Sequence, residues 1–150
     1  MEFFDGARKV KLSNCHGKFL WADDDKRGVS QSRKSDSENA IWEVRRVMVG
    51  DGERIRLRSC YNCYLTGSRT PFLLGMTGKK VIQTNPTKSD DLCDWKPEEI
   101  VPNRLIALRT RDGSLLRGNG GTPPWRNSVT HDVPLVAGTL DVFWAVHVVE

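Results

Sequence analysis

Several groups of residues in this 150-residue chain have types that chemistry could use. Cys60 and Cys63 form a Cys-x-x-Cys, the spacing of a zinc ligand pair or a redox dithiol. Ser128, His131 and Asp132 carry the groups of a nucleophile, base and acid relay. Trp125 next to Arg126 and Asn127 has the composition of a contact hot spot, able to stack on a sugar face or clamp an anion. Asp23-Asp24-Asp25 and the alternating Arg54, Arg56 and Arg58 are runs of a single charge.

What these groups can do depends on the elements that hold them, and those elements repeat. Val10 to Leu20 aligns without a gap on Ile55 to Leu65 and on Ile106 to Leu116. Apolar and polar residues alternate in each, which is strand periodicity. The pairs His16-Gly17, Tyr61-Asn62 and Asp112-Gly113 fall between two strands and suit a two-residue hairpin with positive φ at its second position. A second block recurs as Val29-Ser30-Gln31-Ser32, Val81-Ile82-Gln83-Thr84 and Val129-Thr130-His131-Asp132. A third carries Trp42, Trp95 and Trp144. Four strands in each of three units, approximately 8–50, 53–101 and 104–150, predict an all-β, single-domain β-trefoil over 1–150, because propellers need at least four blades and a closed barrel removes sheet edges. The predicted core is Val10, Leu12, Leu20, Val29, Trp42, Ile55, Leu57, Leu65, Val81, Trp95, Ile106, Leu108, Leu116, Val129 and Trp144.

The alignment argues against most of the chemistry. Cys60 and Cys63 flank a turn whose counterparts are Cys15 with Lys18 and Arg111 with Ser114, and the chain has no second Cys-x-x-Cys, so no metal site is expected. His131 takes the strand slot of Gln31 and Gln83, where Asp132 must point the other way. There is no Gly-x-Ser-x-Gly elbow, phosphate loop or dinucleotide fingerprint, so neither catalysis nor a cofactor is expected. Were the protein an enzyme, His131 would be the acid or base and Arg126 an electrostatic helper. The aspartate run lacks the ligand spacing of a calcium loop and reads as solvated, as does the arginine stripe.

Function is expected where the threefold pattern breaks. Leu20 to Val29 spans 9 positions, Leu65 to Val81 spans 16 and Leu116 to Val129 spans 13, so the second and third units carry 7 and 4 extra residues. The insertions are loops 67–80, with Arg69, Phe72, Lys79 and Lys80, and 118–128, with Trp125, Arg126 and Asn127. The apolar run Phe72-Leu73-Leu74 either folds back on the barrel or forms a docking surface.

The net charge of +4, from 23 basic and 19 acidic residues, is too small for a nucleic-acid interface. No apolar run reaches membrane-spanning length. The first residues lack the blocks of a secretory signal, which predicts a cytoplasmic protein with free thiols.

Gly17-Lys18-Phe19-Leu20, the stretch from Phe72 to Val81 and the stretch from Pro123 to Asp132, together with the opening Met-Glu-Phe-Phe, resemble a plant domain family of unknown function. That family is called fascin-like or actin-cross-linking-like. The resemblance spans the chain and implies a fascin-like trefoil in a plant cell, without an assigned activity. The residue two before each Trp is Ala40, Cys93 or Val142, so the Gln-x-Trp pattern of ricin-type lectins is missing. The expected function is a non-catalytic binding module that engages a protein partner, actin being one candidate, through loops 67–80 and 118–128. The alternatives are a small-molecule or carbohydrate pocket near Trp125, Arg126 and His131, or an unrecognised enzyme there.

Overall fold

The computed structural model describes residues 6–50, 52–72, 78–85, 91–133 and 140–150. The twelve strands are β1 (Lys9–Ser13), β2 (Phe19–Ala22), β3 (Val29–Ser32), β4 (Trp42–Val49), β5 (Gly52–Arg58), β6 (Tyr64–Pro71), β7 (Lys79–Thr84), β8 (Lys96–Val101), β9 (Leu105–Arg109), β10 (Leu115–Gly118), β11 (Val129–Asp132) and β12 (Ala145–Val148). In each unit the first and fourth strands enter a six-stranded ring. Four sides of the ring are antiparallel ladders: β1 with β4 and β12, β4 with β5, and β8 with β9. The other two are the bridges Ile55–Trp95 and Ile106–Trp144. The second and third strands form three hairpins over one end: β2–β3, β6–β7 and β10–β11. This is a β-trefoil.

Every residue predicted to point inward is in one buried cluster, joined by Ala7, Ala22 and Val44. The three repeat tryptophans are fully buried. Each indole N–H donates to a carbonyl of its own unit's second strand: Trp42 to Leu20 at 3.1 Å, Trp95 to Leu65 at 2.9 Å and Trp144 to Leu116 at 3.1 Å. A buried indole needs such a partner, so these bonds fix the ring orientation and tie the ring to the cap.

The first turn of each unit differs from a two-residue hairpin. Its strands meet at single pairs, Ser13–Phe19, Arg58–Tyr64 and Arg109–Leu115, leaving five residues between. One strand stays in the ring while the next leaves for the cap, so a continuous ladder cannot form. A side chain at the start of the turn supplies the missing acceptor: Asn14 Oδ1 takes the His16 and Lys18 amides, Ser59 Oγ those of Tyr61 and Cys63, and Thr110 Oγ1 that of Ser114. Positive φ falls at the predicted positions, Gly17 (71°), Asn62 (61°) and Gly113 (87°).

The first insertion is not simply a loop. Its described part lengthens the β6–β7 hairpin across a register shift between Gly67 and Pro71. Ser68 Oγ donates to the Lys80 carbonyl at 2.7 Å and accepts from the Thr70 amide, bridging the irregular stretch. Leu73 and Leu74 lie outside the described residues. The arginine stripe also departs from expectation. Arg54 is 6% exposed, and Arg56 and Arg111 both pair with Asp94, itself 1% exposed.

Candidate functional site

The three cap hairpins are tied at equivalent positions of β3, β7 and β11. Gln31 Nε2 donates to the carbonyls of Asn119 (2.8 Å) and Ser128 (2.7 Å) in the third unit. Gln83 Nε2 donates to those of Gly28 (2.8 Å) and Asp23 (3.2 Å) in the first. His131 Nε2 lies 2.6 Å from the Ser68 carbonyl in the second. With a carbonyl as acceptor, Nε2 must carry the proton. Burial, the largest cause, lowers the His131 pKa below the usual histidine value. At 2% exposure His131 lines none of the clefts described below. The expectation of a pocket shared by His131, Trp125 and Arg126 is therefore corrected: the repeat slot points inward, and His131 spends its ring nitrogen on an inter-unit tie.

The second insertion folds on itself. The Trp125 and Arg126 amides donate to the Thr122 carbonyl, and the Ser128 amide and hydroxyl both donate to that of Trp125. Asn119, 3% exposed, reaches Ser128 Oγ and Thr130 Oγ1, both at 3.0 Å. This packing presents Arg126 and Asn127 as a wall between two open clefts.

The first cleft, about 450 Å³, lies between the insertions. Phe72, Lys80 and Ile82 line it together with Pro124, Arg126 and Asn127, and with Arg27. Four residues expected at the site, Phe72, Lys80, Arg126 and Asn127, thus come together. The second cleft, about 670 Å³, lies on the other side of the wall. It is lined by His16, Lys18, Gln31, Ser32, Arg33, Gly120 and Gly121 together with Arg126 and Asn127. Trp125, half-buried, faces a third space of about 380 Å³ with His16, Arg117 and Asp141. Arg69 and Lys79 are exposed and line none of the three. Arg69 sits 3.9 Å from Asp112, and Lys79 pairs with His131 across the β7–β11 ladder.

The second cleft concentrates positive charge. Lys18 is only 9% exposed, and its ammonium donates to Asn127 Oδ1 at 2.6 Å. Burial first, then the Arg33 and Arg126 guanidiniums, lowers its pKa. Among the described residues, none of Lys18, Arg33 and Arg126 is ion-paired with a carboxylate. Sequence reading missed Lys18 and Arg33. A signal existed for the first: Lys18 stands where the other units have Cys63 and Ser114. Partial burial, the largest cause, raises the pKa of both Cys15 and Cys60.

Fold and site together define a trefoil scaffold whose ligand-sized clefts open where its units differ. The chain belongs to the family described as a beta-trefoil domain of unknown function (DUF569), whose model matches residues 1–144. No curated protein matches it. Among solved structures it is similar to the designed threefold-symmetric protein ThreeFoil, at 21% identity and a TM-score of 0.72, covering 94% of this chain and 99% of that one. It is also similar to SeviL, solved bound to asialo-GM1 saccharide, at 14% identity and a TM-score of 0.69, covering 96% and 99%. A GlcNAcα1-4Gal-releasing endo-β-galactosidase from Clostridium perfringens matches at 16% identity and a TM-score of 0.69, over 95% of this chain but 33% of the enzyme. The chain thus spans about a third of that enzyme's length. At these identities the likeness shows the fold.

Proposed function

We propose that the protein is a non-catalytic binding module for an anionic, hydroxyl-bearing small molecule, such as a phosphorylated or carboxylated sugar. The ligand sits in the cleft between the first unit's turn and loop 118–128. The observation that carries this reading is the convergence of Lys18, Arg33 and Arg126 without a carboxylate. Three cations held together repel one another, and an anion relieves that repulsion. Ser32 and Asn127 add hydrogen-bonding groups for hydroxyls. SeviL was solved with a saccharide bound, so a sugar ligand is compatible with the scaffold.

The test is calorimetric titration with glucose 6-phosphate, glucuronate and glucose. The two acids bind and glucose does not. Arg126→Ala and Lys18→Met each weaken binding roughly tenfold or more, since a hydrogen bond to a charged group contributes about 1.5–3 kcal/mol. Equal affinity for glucose, or unchanged affinity in both variants with the fold intact, refutes the reading.

A protein partner is the second reading, favoured by the cleft between the insertions, where Phe72, Val29, Ile82 and Pro124 offer apolar surface. Actin belongs to this reading. Filament co-sedimentation tests it, and a protein that stays in the supernatant removes it.

A further inference from the structure

Beside the third space, His16 and Asp141 join Cys15 in a cluster whose thiol and carboxylate neither reading uses. Cys15 and His16 lie in the first unit's turn, and Asp141 lies in the 3-10 turn Leu140–Val142. Cys15 Sγ, one His16 ring nitrogen and an Asp141 carboxylate oxygen all lie within 4.8 Å of one another. Asp141 Oδ1 is 3.2 Å from His16 Nε2 and 3.8 Å from Cys15 Sγ. We propose that these three side chains form a binding site for a zinc-type divalent cation, with the fourth coordination position open to solvent.

The distances fit such an ion. Zinc bond lengths of about 2.0–2.1 Å to nitrogen, 2.0–2.2 Å to oxygen and 2.3 Å to sulfur give tetrahedral edges of about 3.4 Å for N···O and 3.6 Å for S···O. The observed 3.2 and 3.8 Å bracket those edges. His16 Nε2 is shielded from solvent yet makes no hydrogen bond, even with Asp141 Oδ1 beside it. That nitrogen therefore has no competing hydrogen bond to give up to an ion.

The surroundings hold the ligands in place. Arg117 takes the other Asp141 oxygen, Oδ2, at 3.2 Å and leaves Oδ1 turned to the cluster, as an outer partner of a metal-bound carboxylate does. His16 lies against Gly120: a Cβ there would be 2.7 Å from the ring and would displace it. Gly120, Gly121 and Trp125 bound the open side. The other two units act as controls within the chain. The equivalent turn of the second unit places Tyr61 against Asn39 and Asp24, and that of the third places Arg111 against Asp94. The fold therefore does not impose a thiol, an imidazole and a carboxylate at this contact.

The experiment uses reduced, chelator-stripped protein. Zn(II) is titrated in competition with a chromophoric chelator, and Co(II) is added separately for its spectrum. One ion should bind per chain, with a cobalt–thiolate charge-transfer band in the near ultraviolet. Cys15→Ser should abolish the band, and Asp141→Asn should weaken zinc binding at least tenfold. Cys60→Ser, in the equivalent turn, should leave both unchanged. Absence of the thiolate band, survival of the band in Cys15→Ser, or its loss in Cys60→Ser overturns the proposal. Neither Cys15 nor Asp141 lines the cationic cleft, so glucose 6-phosphate binding by the same variants reports on the other reading separately.

Discussion

Replacing His131 separates a structural tie from a catalytic base. In His131→Ala the Ser68 carbonyl loses its donor, which costs about 1–3 kcal/mol for a buried polar group. The missing ring adds a cavity beside Gly67 and Thr110, since a Cβ built on Gly67 would lie 3.1 Å from the imidazole. The total expected is about 3–4 kcal/mol. His131→Gln should cost under about 1.5 kcal/mol, because glutamine occupies the equivalent slots and makes the equivalent bonds there. Acid adds a second signature. The folded-state pKa is lowered, by burial first and with Lys79 contributing, against the opposing Ser68 bond, Asp112 and Asp132. The unfolded chain therefore takes up the proton first, and stability falls as pH drops through about 6.5 toward the folded value. Urea unfolding at a series of pH values measures both effects. The wild type should lose stability relative to His131→Gln between neutral and mildly acidic pH. If His131→Ala is nearly neutral, or if glutamine is as damaging as alanine, the reasoning fails.

Further outcomes follow from the threefold ties. Trp95→Phe keeps most of the apolar volume but leaves the Leu65 carbonyl without its indole donor, so urea unfolding should show a loss of about 2–4 kcal/mol. Asp94→Asn removes the shared partner of Arg56 and Arg111. Those guanidiniums are about a third exposed, 30% and 37%, so the cost should be near 2 kcal/mol rather than that of a fully buried pair. Gly113→Ala places a Cβ at a φ of 87° and should lower stability by about 1–2 kcal/mol, whereas Asn62→Gly, at 61°, should change it by under about 0.5 kcal/mol. Thermal unfolding of the two turn variants side by side checks that contrast.

The scaffold was legible because the same physics is written three times. Alternation around Leu12, Leu57 and Leu108 and the recurring tryptophans specify a buried face, and the structure buries those residues. The turns were half legible. Gly17, Asn62 and Gly113 announce positive φ, but loop length depends on how sharply one strand leaves the barrel, which no local residue encodes. The site was legible only where the sequence breaks its own repeat. Loop 118–128 and loop 67–80 mark themselves as insertions, and Phe72 and Lys80 of one line a cleft with Pro124, Arg126 and Asn127 of the other. Arg33 and His16 join them across units. Asp141 reaches Cys15 over a separation of 126 residues. His131 misled for a related reason: its residue type suggests chemistry, while its slot in the repeat, shared with Gln31 and Gln83, specifies a tie.

The division of labour between symmetric and asymmetric residues explains why the clefts sit where they do. Each unit ties itself internally through its tryptophan and to a neighbour through Gln31, Gln83 or His131. With those bonds in place, the segments between the second and third strands can vary in length without opening the barrel, because loop-closure entropy rises only slowly with length. The first unit has the shortest such connection, 9 positions from Leu20 to Val29 against 16 and 13 in the other two. The lining residues follow that difference. Arg27, Val29 and Arg33 line the clefts from the first unit, and Phe72, Lys80, Pro124 and Arg126 line them from the longer connections. Unequal lengths on a threefold frame thus make the concavity. The units' departures from one another at Lys18, Arg33 and Arg126 then give the second cleft a positive charge that no carboxylate among its lining residues offsets.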